Sequence, residues 1–432
     1  MAMQRNGTRA VVVAGCRTPF VKAFTDLTKM DTIALGAAAV SGLLKKTGLG
    51  HADVQSIVWG GVILPSASPN VGREIGLDLR LDPLCEAMTV TRACASGLQA
   101  VTLAAAAIER GDAEVVIAGG SDSTSNAEIK LPQKVVHALA PLALGKPGAS
   151  DYIGALSQML PLSEILPQRP RVAERTTGEV MGEAAERMAK RNEITREAQD
   201  AFAARSHHRA ASAIASGRFD DEVVPVQTPG GKWVHADGLV RADTSVEKLA
   251  KLKPVFARDG TLTAGNSSAL TDGAAAVLLM SEERARAVGL RPLATLSAWA
   301  YVGVDPADQL LMGPALAMPK ALDRAGLRLS DVDLVDMHEA FAAQVLSVLK
   351  MLASAAFARA RLGRDQAVGE IDPDRLNVHG GSLALGHPFG ATGARMIITM
   401  ANELARSGKR TALLGICAAG GLGAAAVLER VA

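Results

Sequence analysis

Gly48-Leu49-Gly50-His51-Ala52-Asp53-Val54-Gln55-Ser56-Ile57-Val58 and Gly326-Leu327-Arg328-Leu329-Ser330-Asp331-Val332-Asp333-Leu334-Val335 are two versions of one segment. Each follows an alanine-rich stretch with helical character, residues 32–47 and 314–325. Each leads into a short apolar strand, at 57–59 and 334–337. The likeness continues downstream. Ala95-Ser96-Gly97-Leu98 opens a helix expected to reach Arg110, followed by Gly111 and a strand at 114–118. Ala391-Thr392-Gly393-Ala394 opens a second helix expected to reach Arg406, followed by Gly408 and a strand at 411–416. Each half therefore reads helix–strand, then glycine turn–helix–strand, the mark of an internal duplication. The apolar strands predict mostly parallel sheets with helices on their faces, an α/β fold built from duplicated halves. Chance similarity between alanine-rich segments is the alternative; the matching order of elements weighs against it.

The region between the halves has a different character. Residues 121–245 hold polar turns, an apolar stretch at 135–162 and a helix expected from Arg196 to Ser216 with Thr195 as N-cap. This gives an N-terminal half at 1–120, continued at 246–285, and a C-terminal half at 286–432. Residues 121–245 form an inserted loop domain expected to cover the mouth of the core.

The 432-residue chain is 48% hydrophobic and 21% charged, the balance of a globular protein. Only 3% of residues are aromatic, so the core relies on close approach of small side chains, and 42 glycines suit that. A net charge of +2 and the lack of basic runs with interleaved aromatics argue against nucleic-acid binding. The four cysteines, Cys16, Cys85, Cys94 and Cys417, form no CxxC pair, which leaves zinc and thioredoxin-like chemistry unsupported. Few cysteines and a polar start without an apolar signal region predict a cytoplasmic protein with reduced thiols. The uncharged run 411–428 is broken by Gly415, Gly420, Gly421 and Gly423. It reads as two buried strands joined by a glycine turn rather than a membrane span. The run 135–162 is interrupted by Pro141, Gly145, Pro147 and Asp151, so any membrane contact is expected to be peripheral.

Cys94 lies in Val90-Thr91-Arg92-Ala93-Cys94-Ala95-Ser96-Gly97-Leu98, between an expected strand and the helix that follows. A thiol at a helix N-terminus faces the positive end of the macrodipole and unpaired N–H groups, which predicts a lowered pKa. Taken alone, a buried structural cysteine is the simpler reading. His387 lies in Gly386-His387-Pro388, just before the equivalent helix of the second half. If the halves are related by pseudo-twofold symmetry, both helix N-termini face one centre and His387 can take the cysteine proton. A phosphate-binding glycine loop is the alternative, but the Lys-Ser/Thr of such loops is missing. Cys417, in Cys417-Ala418-Ala419-Gly420-Gly421, ends the last helix-to-strand unit, where sites in α/β sheets gather. It is either a second active thiol or a core cysteine. His338, in Met337-His338-Glu339-Ala340-Phe341, either serves the same centre through a held water or a hydrogen bond, or forms a surface cap with Glu339. The loop Thr263-Ala264-Gly265-Asn266-Ser267-Ser268-Ala269-Leu270-Thr271 either admits a ligand to its backbone or is an ordinary turn.

Together these motifs resemble the thiolase family, from Arg17-Thr18-Pro19-Phe20 to Cys417-Ala418-Ala419-Gly420-Gly421, in family order and at family-like spacing. The resemblance implies a layered α-β-α-β-α arrangement of the duplicated halves. It implies thiolytic cleavage of 3-oxoacyl-CoA, with coenzyme A as co-substrate and neither a permanently bound cofactor nor a metal. It makes Cys94 the acyl carrier, His387 its activator and Cys417 the acid and base on the alpha carbon. Ser268, with Ala340 and Phe341, falls on the pantetheine side. One expected oxyanion hole is His387 with a water on His338; the other is the N–H groups of Cys94 and Ala419. Most thiolases have Asn where this chain has His338. That departure, the segment from Ile165-Leu166-Pro167 to Met181-Gly182 and the apolar insert resemble the β subunits of fatty-acid-oxidation trifunctional complexes. A homodimer or homotetramer, and a hydratase–dehydrogenase α-subunit partner, follow from the same resemblance. Competing readings are a short-chain acetyl-CoA acetyltransferase working in the condensation direction, a ketoacyl synthase-like enzyme, and a non-catalytic scaffold subunit.

Overall fold

The computed structural model describes residues 8–129, 131–161, 164 and 173–431. Ten strands form the main sheet: β1 (Ala10–Arg17), β2 (Val21–Lys22), β3 (Ser56–Gly60), β4 (Glu86–Val90), β5 (Val115–Ser123), β6 (Thr271–Ser281), β7 (Ala294–Gly303), β8 (Leu334–Met337), β9 (Thr411–Ala418) and β10 (Leu422–Arg430). Their order is β8-β9-β10-β7-β1-β6-β5-β3-β4, with β2 paired to β6. The duplication is written into this order. In the first half β3-β5-β6-β1 pair parallel, antiparallel, antiparallel. In the second half β8-β9-β10-β7 repeat the same three directions. The halves meet where β1 touches β7, at Val12 and Ala294.

The expectation of mostly parallel sheets is corrected: among the main-sheet pairings only β3–β4, β3–β5 and β8–β9 are parallel. The reason is the connections. β9 and β10 are joined by three residues, Ala419-Gly420-Gly421, and so short a link permits only an antiparallel return. Gly420 and Gly421 turn there with φ of 82° and 66°. Fully buried strands are apolar on both faces whatever their direction, so the pattern alone did not distinguish the two.

Alternation along the strands defines five layers. Ala275, Val277 and Leu279 of β6, with Ala412, Leu414 and Ile416 of β9, face a shared central core. The helices Ser96–Arg110 and Phe389–Ser407 lie in it, contributing Leu98, Val101 and Ile108, and Ile397, Met400 and Leu404. Ala274, Ala276 and Leu278 face the opposite way, onto Leu35, Val40 and Leu43 of the helix Thr32–Thr47. Leu413, Ala425 and Val427 face Met318 and Leu322 of the helix Gly313–Ala325. Helix, half-sheet, paired helices, half-sheet, helix is the α-β-α-β-α order expected from the resemblance. The two central helices touch backbone to backbone. A Cβ at Gly97 would strike the Gly390 carbonyl oxygen, and one at Gly393 would strike the Leu98 amide.

Residues Ala127–Ala173 form a separate compact unit, whereas Glu174–Ala432 groups with Met1–Asn126. The unit carries the helices Gln133–Leu144 and Ala149–Gln158. Ile165-Leu166-Pro167 lies outside the described residues. The helix Arg196–Ala215 begins as expected, with the Thr195 side chain accepting from the Ala198 N–H at 3.2 Å. Among the described residues no helix is long and apolar enough to cross a membrane.

Candidate active site

Cys94 sits in the turn between β4 and the helix Ser96–Arg110. Ala93 before it has a φ of 47°, unusual for a residue with a side chain. Ser96 holds this turn, accepting from the Arg92 N–H at 2.7 Å while its hydroxyl donates to the Ala93 carbonyl at 2.7 Å. The strained turn sets Cys94 against the central core with part of its surface still exposed, while Ala95 and Ser96 are buried. The backbone N–H groups of Ala419 and of Cys94 itself face the sulfur.

His387 enters from the second half. Gly386, at φ 100°, turns the chain before it, and the His387 N–H donates to Thr271 Oγ1 at 3.0 Å. Its Nδ1 lies 2.6 Å from Thr392 Oγ1, and His338 Nδ1 lies 3.0 Å from Ser382 Oγ. The two imidazole centroids are 4.1 Å apart. One ring nitrogen of each histidine and the Cys94 sulfur lie within 4.8 Å of one another. Both Nε2 atoms are buried without a hydrogen-bond partner. Two orphaned nitrogens beside a thiol mark a place that a substrate oxygen completes, because buried polar groups otherwise find partners.

Cys417 is buried near the end of β9; burial raises its thiol most, and Cys94 lies close enough that a charge there raises it further. The loop 266–271 joins the pieces. Ser268 N–H donates to Ala340 O at 2.9 Å, Ser267 bridges Phe341, and Leu270 bridges His387. Ala340 and Phe341 are almost fully buried, and Phe341 meets Phe256 edge-on at 5.9 Å. The eight residues singled out in the sequence thus belong to one neighbourhood of two thiols, two imidazoles, an inward-facing N–H and a small-residue loop.

Thiolase, N-terminal domain, matches residues 10–283, and Thiolase, C-terminal domain, matches residues 290–430. The chain belongs to the thiolase family. A 3-ketoacyl-CoA thiolase of Aeromonas salmonicida (strain A449) is 47% identical over 427 residues, 98% of each chain. One from Shewanella woodyi is 45% identical over 425 residues, 98% of this chain and 97% of the relative. Human mitochondrial 3-ketoacyl-CoA thiolase in complex with CoA superposes with a TM-score of 0.81 at 30% identity, covering 98% of each chain.

Of the two alternatives for His338 in this thiolase, the surface cap with Glu339 is excluded. Both residues are fully buried, and Glu339 accepts from Ser206 Oγ at 2.6 Å, Asn377 Nδ2 at 2.7 Å and the Leu383 N–H at 3.2 Å. The Cys94 thiol is not lowered, against the expectation from its helix terminus. Burial pushes it up to about 12, outweighing the N–H groups of Ala419 and Cys94. Burial likewise brings His387 down to about 3, with Arg395 adding like-charge repulsion. The resting pair is therefore neutral thiol and neutral imidazole. Alkylation of Cys94 by iodoacetamide is expected to rise about tenfold per pH unit between pH 6 and 9, since only the thiolate reacts. A plateau across that range, absent in Cys94→Ala, would show a preformed thiolate instead.

Several positioning residues were missed in the sequence. Ser382 and Thr392 stand inside the glycine-rich run around His387, yet nothing in their spacing says which hydroxyl meets which ring. Asp122 accepts from the N–H groups of Gly390 at 2.6 Å and Ile63 at 2.5 Å, fixing the start of the His387 helix. Arg395 pairs with Asp336 at 3.1 Å in the same buried layer. The only signal for these was a charge in an otherwise apolar segment.

Proposed function

We propose that this chain is a 3-ketoacyl-CoA thiolase, an acetyl-CoA C-acyltransferase that cleaves 3-oxoacyl-CoA with coenzyme A. The observation that carries this is the convergence of Cys94, His387, His338 and Cys417 from four separate segments. The names of relatives 45–47% identical over nearly the full chain support it.

Either hydroxyl can donate or accept, so the reaction itself sets the tautomers. As base, His387 keeps Nε2 free, with its Nδ1–H donating to Thr392 Oγ1. As oxyanion donor, His338 carries its proton on Nε2, with Ser382 Oγ–H donating to Nδ1. Cys94 Sγ attacks the 3-oxo carbon and its proton passes to His387 Nε2. The oxyanion on that carbon is stabilised by the N–H groups of Cys94 and Ala419. Collapse breaks the bond between C2 and C3. The enolate oxygen of the departing acetyl-CoA lies against His387 Nε2–H and His338 Nε2–H. Cys417 gives its proton to C2, releasing acetyl-CoA and leaving an acyl group on Cys94. Coenzyme A then gives its thiol proton to Cys417 and attacks the acyl carbonyl. Cys94 leaves as thiolate and recovers its proton from His387, which restores the resting state.

This assignment moves the first oxyanion from the histidines to the backbone N–H groups, because the acyl carbon is bonded to Cys94 Sγ and Ala419 N–H faces that atom. It also lets His338 donate directly, without the water expected at the shorter Asn of most thiolases. Cys-His-His would by itself suit a ketoacyl synthase; Cys417 beside Cys94 favours the thiolase.

The finer reading is fatty-acid β-oxidation in the cytoplasm on medium or long chains, as a homodimer or homotetramer. Contact of segment 135–162 with a hydratase–dehydrogenase partner or a membrane surface belongs to it too. Leu139, Leu144, Ile153 and Leu156 are exposed within that unit. A chain-length series of CoA-dependent cleavage tests the activity. Preference for 3-oxohexadecanoyl-CoA over acetoacetyl-CoA supports the reading; the reverse favours a short-chain acetyltransferase, and no cleavage of either refutes a thiolase. Sedimentation and liposome flotation of the full chain and of a variant lacking 135–162 test the assembly.

A further inference from the structure

Resting Cys94, His338 and His387 present three donor atoms, one sulfur and two imidazole nitrogens, within 4.8 Å of one another. Neither Nε2 has another partner, and both rings are nine-tenths or more buried. Each ring is already braced at Nδ1 by a hydroxyl, Ser382 for His338 and Thr392 for His387. Metal-binding histidines are commonly fixed in this way by a hydrogen bond on the other nitrogen. A thiolate with two imidazoles is the donor set of a borderline-soft divalent cation, not of Mg2+ or Ca2+, which take oxygen ligands.

We propose that the resting site is a reversible inhibitory site for a zinc-class divalent cation, held by Cys94 Sγ and the Nε2 atoms of His338 and His387. The proposal rests on the active-site reading above, since it occupies the same nucleophile. Zinc bonds of about 2.3 Å to sulfur and 2.0–2.1 Å to nitrogen place tetrahedral donors roughly 3.3–3.6 Å apart. Binding draws the three atoms, which already lie within 4.8 Å of one another, closer together around the ion. It forms three metal–ligand bonds: the Cys94 thiol releases its proton to water, and His338 shifts its ring proton from Nε2 to Nδ1, where it donates to Ser382 Oγ. The fourth position stays open for a water. His338 is the deciding ligand, because without it only one sulfur and one nitrogen remain. The bound cation blocks attack on the 3-oxo carbon, so it acts on free enzyme and not on the acyl-enzyme, where the sulfur is esterified.

The test is equilibrium dialysis of the full-length protein against Zn2+, with Co2+ as a spectroscopic probe. One Zn2+ per chain is expected, together with a thiolate-to-Co2+ charge-transfer band and protection of Cys94 from iodoacetamide. Cys94→Ala should abolish the band. His338→Asn should weaken Zn2+ binding about 10- to 100-fold, whatever that variant's turnover, and Mg2+ should give no protection. Unchanged Zn2+ affinity in both variants, or no band in the wild-type chain, overturns the proposal. A chain that cleaves 3-oxoacyl-CoA yet binds no Zn2+ at Cys94 refutes the metal site alone; absence of cleavage refutes the functional reading itself.

Discussion

Cys94→Ala is expected to lower CoA-dependent cleavage by about 10⁴-fold or more while the protein stays folded. A factor of 10⁴ corresponds to about 5.5 kcal/mol of transition-state stabilisation. Losing that much fits a covalent route with its nucleophile removed, because in the proposed route His387, Cys417 and both oxyanion holes serve the bond that Cys94 makes. Fold retention follows from the packing. The Cys94 side chain is partly exposed, and the turn is held by Ser96 and the Ala93 carbonyl rather than by the sulfur. Rate measurement and thermal unfolding on one preparation check both halves of the expectation. A variant within tenfold of wild type would mean that another group carries the acyl chain.

Cys417→Ala is expected to lower cleavage by about 10³-fold, within the usual range for losing a general acid–base group. A structural cysteine in a buried strand would instead cost stability and leave the chemistry alone. The separating readout is exchange of deuterium from solvent into the methyl group of acetyl-CoA. That exchange needs a base at C2 and should vanish in the variant. Acylation of Cys94 by acetyl-CoA should slow far less, because a thiolate leaves with less help than a carbanion. Normal exchange in the variant would return Cys417 to the core. Its side chain is fully buried, so a modest fall in melting temperature is expected in either case.

Element by element, the sequence was readable wherever local chemistry decides. The helix at 32–47 and the strand at 334–337 have the expected bounds, and Gly111 and Gly408 both close their helices in the left-handed region. Cys94, His387 and Cys417 were readable because each sits at the mouth of a repeated unit, so the repeat itself brings them together. Strand direction was not readable, since buried strands are apolar on both faces and only the short Ala419-Gly420-Gly421 link betrays the antiparallel return. Burial was not readable at His338-Glu339, two polar residues whose partners Ser206, Asn377 and Ser382 come from distant segments. The same limit explains the Cys94 thiol. The helix terminus that lowers its pKa is visible in the sequence, and the desolvation that outweighs it is a property of the assembled layers.

The most direct measurement is the intact mass of the protein mixed with a 3-oxoacyl-CoA in the absence of coenzyme A, followed by peptide mapping. One acyl group, two carbons shorter than the substrate chain, is predicted on Cys94, together with one equivalent of acetyl-CoA. Added coenzyme A should discharge it. Turnover with no acyl adduct, or an adduct on Cys417 or elsewhere that coenzyme A discharges, would contradict a reaction carried by Cys94.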